Sequence, residues 1–181
     1  MAKIGRFRCM VRKGDTTTAA ESELTIREFA RGDEGDFRRL NEEWIIREFA
    51  LESKDEEALA DPRGTIVDRG GRIFFAVRRG RIVGCCALLP MGPGEFEVAK
   101  MAVTAAHRGA GIGRKLLEKV IAEARAGGAT RLYLETNRKL TPAIGLYESV
   151  GFRHIPPARV IPSPYARANV YMEMDLDRAT G

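Results

Sequence analysis

Val103-Thr104-Ala105-Ala106-His107-Arg108-Gly109-Ala110-Gly111-Ile112-Gly113-Arg114 is the stretch from which the rest of the chain can be read. Phe96 to Val103, just before the loop, has the composition of a strand. After Gly111 the apolar residues Ile112, Leu116, Leu117, Val120, Ile121 and Ala124 recur at three- and four-residue steps, while Arg114, Lys115, Glu118, Lys119 and Glu123 fill the opposite face. That is helical periodicity with one buried stripe, and Gly127-Gly128 closes it as glycine past a helix end commonly does. A glycine-rich turn at a helix start leaves backbone N–H groups unpaired and lets a ligand come close to the main chain. With the positive end of the helix dipole it makes a site for a phosphate or pyrophosphate. The spacing excludes two such sites. A dinucleotide fingerprint needs G-x-G-x-x-G, and here the third glycine comes one residue early; the G-x-x-x-x-G-K-[ST] of a P-loop does not occur.

Outward from this turn, the chain has the length for one domain with a real core: 181 residues, with no apolar run of membrane-spanning length. Its net charge of +5 does not mark a nucleic-acid surface. Lys3, Arg6, Arg8, Arg12 and Lys13 carry the whole excess, and without them 25 basic residues face 25 acidic ones. Residues 1–22 therefore read as a basic extension of low order, with a mitochondrial-type presequence as the alternative, and 23–178 as the domain. Of the three cysteines, Cys9 lies in the extension, and Cys85 and Cys86 point to opposite faces of one strand. With His107 and His154 as the only histidines, no metal-ligand spacing occurs. A reduced, cytoplasmic protein without a metal is expected.

Leu24 to Phe29 reads as a first strand. Asp33 can cap a helix carrying Phe37, Leu40, Trp44 and Ile45 to about Ala50, and Glu52 to Glu57 fits a short helix or loop. Ile73 to Val77 and Ile82 to Leu89 form a hairpin, with Gly84 marking a bulge, and Glu95 to Val103 pairs antiparallel with the latter. Arg131 to Thr136 follows the central helix and pairs parallel with the Val103 strand. Thr141-Pro142 opens a helix that Gly151 ends. Phe152 to Ile155 and Val170 to Leu176 are the last strands, joined by a proline-stiffened connection. The expected fold is α/β: a mixed, mostly antiparallel central sheet with helices on both faces.

Arg108-x-x-Gly111-x-Gly113 at a strand-to-helix turn resembles the acyl-CoA signature of the GNAT superfamily of N-acyltransferases. A second motif supports this: Leu134-Glu135-Thr136-Asn137, then Ala143-Ile144-Gly145-Leu146-Tyr147-Glu148-Ser149-Val150-Gly151-Phe152, similar to the family's A-x-x-L-Y-x-x-x-G-F segment. The resemblance covers about Leu24 to Leu176, and the element order β-α-α-β-β-β-α-β-α-β-β matches the family fold. One departure is Ala105-Ala106, where relatives often carry a proline before the turn.

The resemblance implies acetyl-CoA as co-substrate, no metal, and transfer of the acetyl group to a primary amine by direct attack in a ternary complex. A small-molecule amine is favoured over a protein lysine or amino terminus, no nucleic-acid or membrane partner is implied, and homodimers occur among relatives. A non-catalytic CoA-binding regulatory module is the alternative outside enzymes. By the same resemblance, Arg108, Gly109, Ala110, Gly111, Ile112, Gly113 and Arg114 would hold the pyrophosphate. The backbone of Met101, Ala102 and Val103 would pair with the pantetheine arm, and Asn137 and Ala143 would complete the cofactor site. Tyr147 sits where a tyrosine serves as acid to the departing thiolate; otherwise it is a core residue of its helix. Glu97 is the candidate base, acting through water, or else the partner of a neighbouring arginine. Strand alternation places Glu97, Ala99, Met101 and Val103 on one face and Lys100 on the other. Trp44, Arg159, Tyr165 and Arg167 are the candidate acceptor contacts, the arginines suiting an anionic group or pointing into solvent.

Overall fold

The computed structural model describes residues 24–176; the expected extension and Cys9 lie outside them. Four strands begin the sheet by simple antiparallel neighbours. β1 (Leu24–Glu28) pairs β2 (Arg72–Arg78), β2 pairs β3 (Arg81–Gly92), and β3 pairs β4 (Glu95–Val103). The other half is β5 (Arg131–Thr136), β7 (Val170–Asp175) and the two-residue edge strand β6 (Arg153–His154), giving the order β1-β2-β3-β4-β5-β7-β6. Only the β4–β5 pair is parallel, so the sheet is mixed and mostly antiparallel. Among the described residues no helix is long and apolar enough to cross a membrane.

Helices cover both faces. On one side α1 (Glu34–Glu48), α2 (Ser53–Ala60) and the single turn α3 (Pro62–Thr65) lie on a core of Phe37, Leu40, Leu59, Ile73, Phe75 and Cys85. On the other, α4 (Ile112–Ala126) and α5 (Thr141–Ser149) cover Phe74, Cys86, Leu88, Val98, Leu132 and Leu134. The stripe read from the sequence of α4 is the buried one: Ile112, Leu116, Leu117, Val120, Ile121 and Ala124. Cys85 and Cys86 face opposite cores, as adjacent strand residues must.

Two helix starts differ from expectation. Asp33 occupies the N-cap position of α1, but its carboxylate makes no capping bond. It accepts from both Arg27 guanidinium nitrogens (2.6 and 2.9 Å) and from the Ala30 N–H (2.7 Å), closing the β1–α1 corner instead. A charge-assisted pair outcompetes a neutral cap. At α5, Leu140 is the N-cap and Thr141 the first helical residue, with Pro142 within the first turn; the threonine hydroxyl does not cap.

The middle of the sheet positions the site. β4 and β5 are in register only at Glu95↔Arg131, Phe96↔Leu132 and Glu97↔Tyr133. Beyond Glu97 the two strands part, and β5 continues with β7 as far as Thr136↔Val170. The segment Val98 to Val103 thus has β3 on one edge and no strand on the other. On the β3 side the register runs Cys85↔Ala102 and then Ala87↔Ala99, which leaves one extra residue in β4, a bulge. Lys100 sits in it with φ of 51°, left-handed backbone that non-glycine residues seldom adopt. A second irregularity lies between Ala76 and Val77, opposite Val83 and Gly84, close to the expected place.

The bulge overturns the strict alternation expected in β4. Phe96 and Val98 pack toward α4, and so do Met101 and Val103 after the extra residue. Glu97 lies opposite Leu89 and Ala99 opposite Ala87, on the face covered by α1 and α2. Lys100 projects to that same face, where its ammonium reaches Asp55 of α2.

Candidate active site

The parting of β4 and β5 opens a cleft of about 780 Å³ that runs from the glycine turn, past β4, to the loop before β7. At the turn, Gly109 and Gly111 have φ of 75° and 74°, so glycine is required there on conformational grounds. The first hydrogen bond of α4 is from Lys115 N–H to the Gly111 carbonyl (3.1 Å). Among the described residues the N–H groups of Gly109, Ala110, Gly111, Ile112, Gly113 and Arg114 have no protein acceptor. These are the orphan donors of a helix start, preceded by two further amides in a tight turn, and such an array binds phosphate oxygens. A Cβ at Gly113 would stand in ordinary contact, 3.4 Å from the side-chain ends of both Leu146 and Met101, where α4 packs against α5 and β4.

The arginines flanking the turn are partly engaged. Arg108 Nε donates to the Val103 carbonyl (3.3 Å), and Arg114 donates to Ser149 Oγ (2.7 Å). The cleft is lined by every expected cofactor residue except Ala110, including Met101, Ala102, Val103, Asn137 and Ala143. Asn137 is buried and structural as well. Its amide donates to the Arg167 carbonyl (2.5 Å) and its oxygen accepts from the Lys139 N–H (2.9 Å), tying two loops together.

Glu97 lines the cleft with no hydrogen bond or ion pair to its carboxylate among the described residues, so the expected alternative of an arginine partner is not realised. Burial, the nearby Glu135 carboxylate and, in opposition, the Lys100 ammonium together push its pKa up to about 7. Glu135, two residues along β5 from Tyr133, the register partner of Glu97, accepts from Tyr133 (3.0 Å) and from the Ser163 hydroxyl. Tyr147 borders the cleft from the opposite face of the sheet, packed edge-on against Phe152. Burial, with the Cys86 thiol nearby, raises its phenol well above the ordinary range, so it stays protonated. The opening in the sheet therefore lies between a carboxylate suited to accept a proton near neutrality and a phenol that keeps its own.

The four acceptor candidates separate. Trp44 lines the cleft and stacks edge-on with Phe49. Tyr165 and Arg167 line it too, but Arg159 does not: it lies outside, paired with Glu173 (2.9 Å). The Arg167 guanidinium is not open to an incoming anion. It makes two bonds to Asp55 (2.6 and 2.8 Å) and one to Glu52 (3.0 Å), and it lies over the Tyr165 ring at 4.5 Å. Asp55 also receives Lys100 Nζ (2.7 Å), which donates to Tyr165 Oη (3.0 Å) as well. Burial disfavours the ionised Asp55, yet the bonds from Arg167 and Lys100 outweigh it and hold its pKa below the ordinary carboxylate range. This cluster was not found from the sequence, because Asp55 stands 45 residues from Lys100 and 112 from Arg167. Glu135 lay inside the quoted second motif, but no role attached to it.

A row of amides without protein acceptors at a helix start, opening on a cleft in a split mixed sheet, is the arrangement expected from the two motifs. The sequence profile described as "Acetyltransferase (GNAT) family" matches residues 36–152, and the chain belongs to that family and is an enzyme of the N-acetyltransferase class. The chain is 33% identical over 119 residues to the uncharacterized N-acetyltransferase YjgM of Escherichia coli, covering 61% of this chain and 71% of that protein. It is 43% identical over 82 residues to an IAA acetyltransferase of Azospirillum brasilense, covering 45% of this chain and 54% of that one, so it spans about half the latter's length. Among solved structures, a GNAT-family acetyltransferase of Staphylococcus aureus superposes with a TM-score of 0.77 at 24% identity, over 85% of this chain and 99% of that one. The Salmonella typhimurium putative acetyltransferase yncA, solved with its cofactor acetyl-CoA, gives 0.67 at 20% identity, over 87% and 96%.

Proposed function

We propose that the protein moves an acetyl group from acetyl-CoA to the primary amine of a small molecule, by direct attack in a ternary complex. The observation that carries this reading is the row of unacceptored amides from Gly109 to Arg114 opening on the same cleft as Glu97. With the pyrophosphate on those amides, the pantetheine arm runs along the free edge of β4 toward Met101, and the thioester reaches the opening between Glu97 and Tyr147.

An amine must lose a proton to become a nucleophile. It enters as an ammonium ion drawn by Glu97 and Glu135 and gives that proton to Glu97, directly or through a water. The neutral nitrogen then attacks the thioester carbon, and the oxyanion of the tetrahedral intermediate is met by main-chain N–H at the β4 bulge. As the carbon–sulfur bond breaks, the CoA sulfur takes a proton from Tyr147, which solvent later restores. The second proton of the nitrogen leaves to water, and Glu97 returns its proton to solvent once the product has gone.

The size and charge of the acceptor end support a small cationic amine. The loop at 163–169 is tied to α2 by Arg167, which walls that end. Of the cations there, Lys100 and Arg167 are already neutralised by Asp55 and Glu52, whereas the Glu97 carboxylate has no partner among the described residues. An anionic acceptor group therefore finds no open partner in Arg167. The test is a thiol-release assay with acetyl-CoA over amino acids, polyamines, aminoglycosides and peptides. Turnover of free polyamine-like amines above amino acids is expected, and turnover of peptides alone would move the reading to a protein acceptor.

A further inference from the structure

The Asp55–Lys100–Arg167 cluster is the most deeply buried ionic group among the described residues: the Asp55 side chain is fully buried, that of Lys100 is 6% exposed and that of Arg167 is 14% exposed. Burying three charges is costly unless the group does something that apolar residues could not. Lys100 is the singular member. It sits at the extra residue of β4 in left-handed backbone, a conformation held only where the surroundings over-determine it. Its carbonyl accepts from Cys85 Sγ (3.3 Å) and its ammonium is fixed by Asp55 and by Tyr165.

We propose that Lys100 is the positioning residue of this site: its clamped ammonium ties the β4 bulge to α2 and to the 163–169 loop, shaping the strand where the thioester lies. The bulge turns the phase of β4, so that Met101 and Val103 pack under α4 while Glu97 faces the acceptor end.

The proposal rests on the reading of the cleft as the acetyl-CoA site, and the experiment separates the two. Lys100→Met removes the ammonium and keeps a side chain that dislikes left-handed backbone; Lys100→Gly removes it and relieves the backbone. Both should fold, because Arg167 still pairs with Asp55. CoA binding is measured by calorimetry, and KM for acetyl-CoA and kcat are measured with the best amine from the screen, for both variants and the native protein. Loss of the tie to Asp55 and Tyr165 should weaken CoA binding about tenfold in both variants and raise the KM for acetyl-CoA with it.

Native CoA affinity in Lys100→Met or in Lys100→Gly would overturn the proposal, whereas absence of CoA binding by the native protein would remove the cofactor reading and the proposal with it.

Discussion

Glu97 is a carboxylate that no hydrogen bond holds among the described residues and that burial and Glu135 drive to a pKa of about 7. As a base it should give kcat/KM an acid limb with a midpoint near pH 7. Glu97→Gln should lower kcat/KM about 100- to 1000-fold and remove that limb while leaving CoA affinity unchanged. The same residue has a signature in stability. Its folded pKa is raised, so the folded state binds the extra proton; the stability this contributes is complete below the ordinary carboxylate range and is lost as pH rises through about 7. Glu97→Gln should therefore melt above the native protein at pH 8 and close to it at pH 4, as read by calorimetric scans. Asp55 has the opposite sign: its pKa is depressed, and its contribution is lost as pH falls below the ordinary range. Tyr147→Phe removes a proton donor and leaves the ring packed on Phe152, so kcat should fall about 100-fold at little cost in melting temperature.

Among elements, the start of α4 is the one whose conformation and proposed ligand are inseparable. Gly111 has φ of 74° with open space where a Cβ would go, so Gly111→Ala is penalised by backbone conformation and not by a clash. It should cost about 1–2 kcal/mol in urea unfolding and weaken CoA binding in calorimetry, because the donors it orients are those of the cradle. Helix α2 depends on a single buried carboxylate. Asp55→Ala leaves Lys100 and Arg167 without their shared partner, and the expected loss is about 3–5 kcal/mol. The element order, the hairpin of β2 and β3 and the stripe of α4 were legible because each depends on residues near one another in sequence. The bulge in β4 was not. Nothing in Val98-Ala99-Lys100-Met101 announces an extra residue, and one extra residue moves every later side chain to the other face. Asp33 misled in the same way: it had the right residue type for a cap, but Arg27 claimed its oxygens.

For the whole molecule, the opening between β4 and β5 leaves two half-sheets joined by three residue pairs and by the helices across them. A ligand that bridges the opening should stabilise the fold by linkage. At a CoA concentration 100 times its Kd the gain is about 2.7 kcal/mol, which for a domain of this size should raise the melting temperature by roughly 5–10 °C. No shift at saturation would remove the cofactor reading, whatever the motifs imply.

The sequence by itself determined the glycine-rich strand-to-helix turn, the elements and their order, the two-faced strand at Cys85 and Cys86, and the candidacy of Glu97 and Tyr147. Each of these is written in spacing or in a short motif, where neighbours along the chain supply the whole of the physics. Tertiary structure alone decided which face Glu97 looks toward, that Arg159 stands outside the cleft, and that Arg167 and Lys100 are spent on Asp55. Those outcomes depend on charges separated by 45 and 112 residues, which meet only when the sheet has brought α2, the β4 bulge and the loop before β7 to one place.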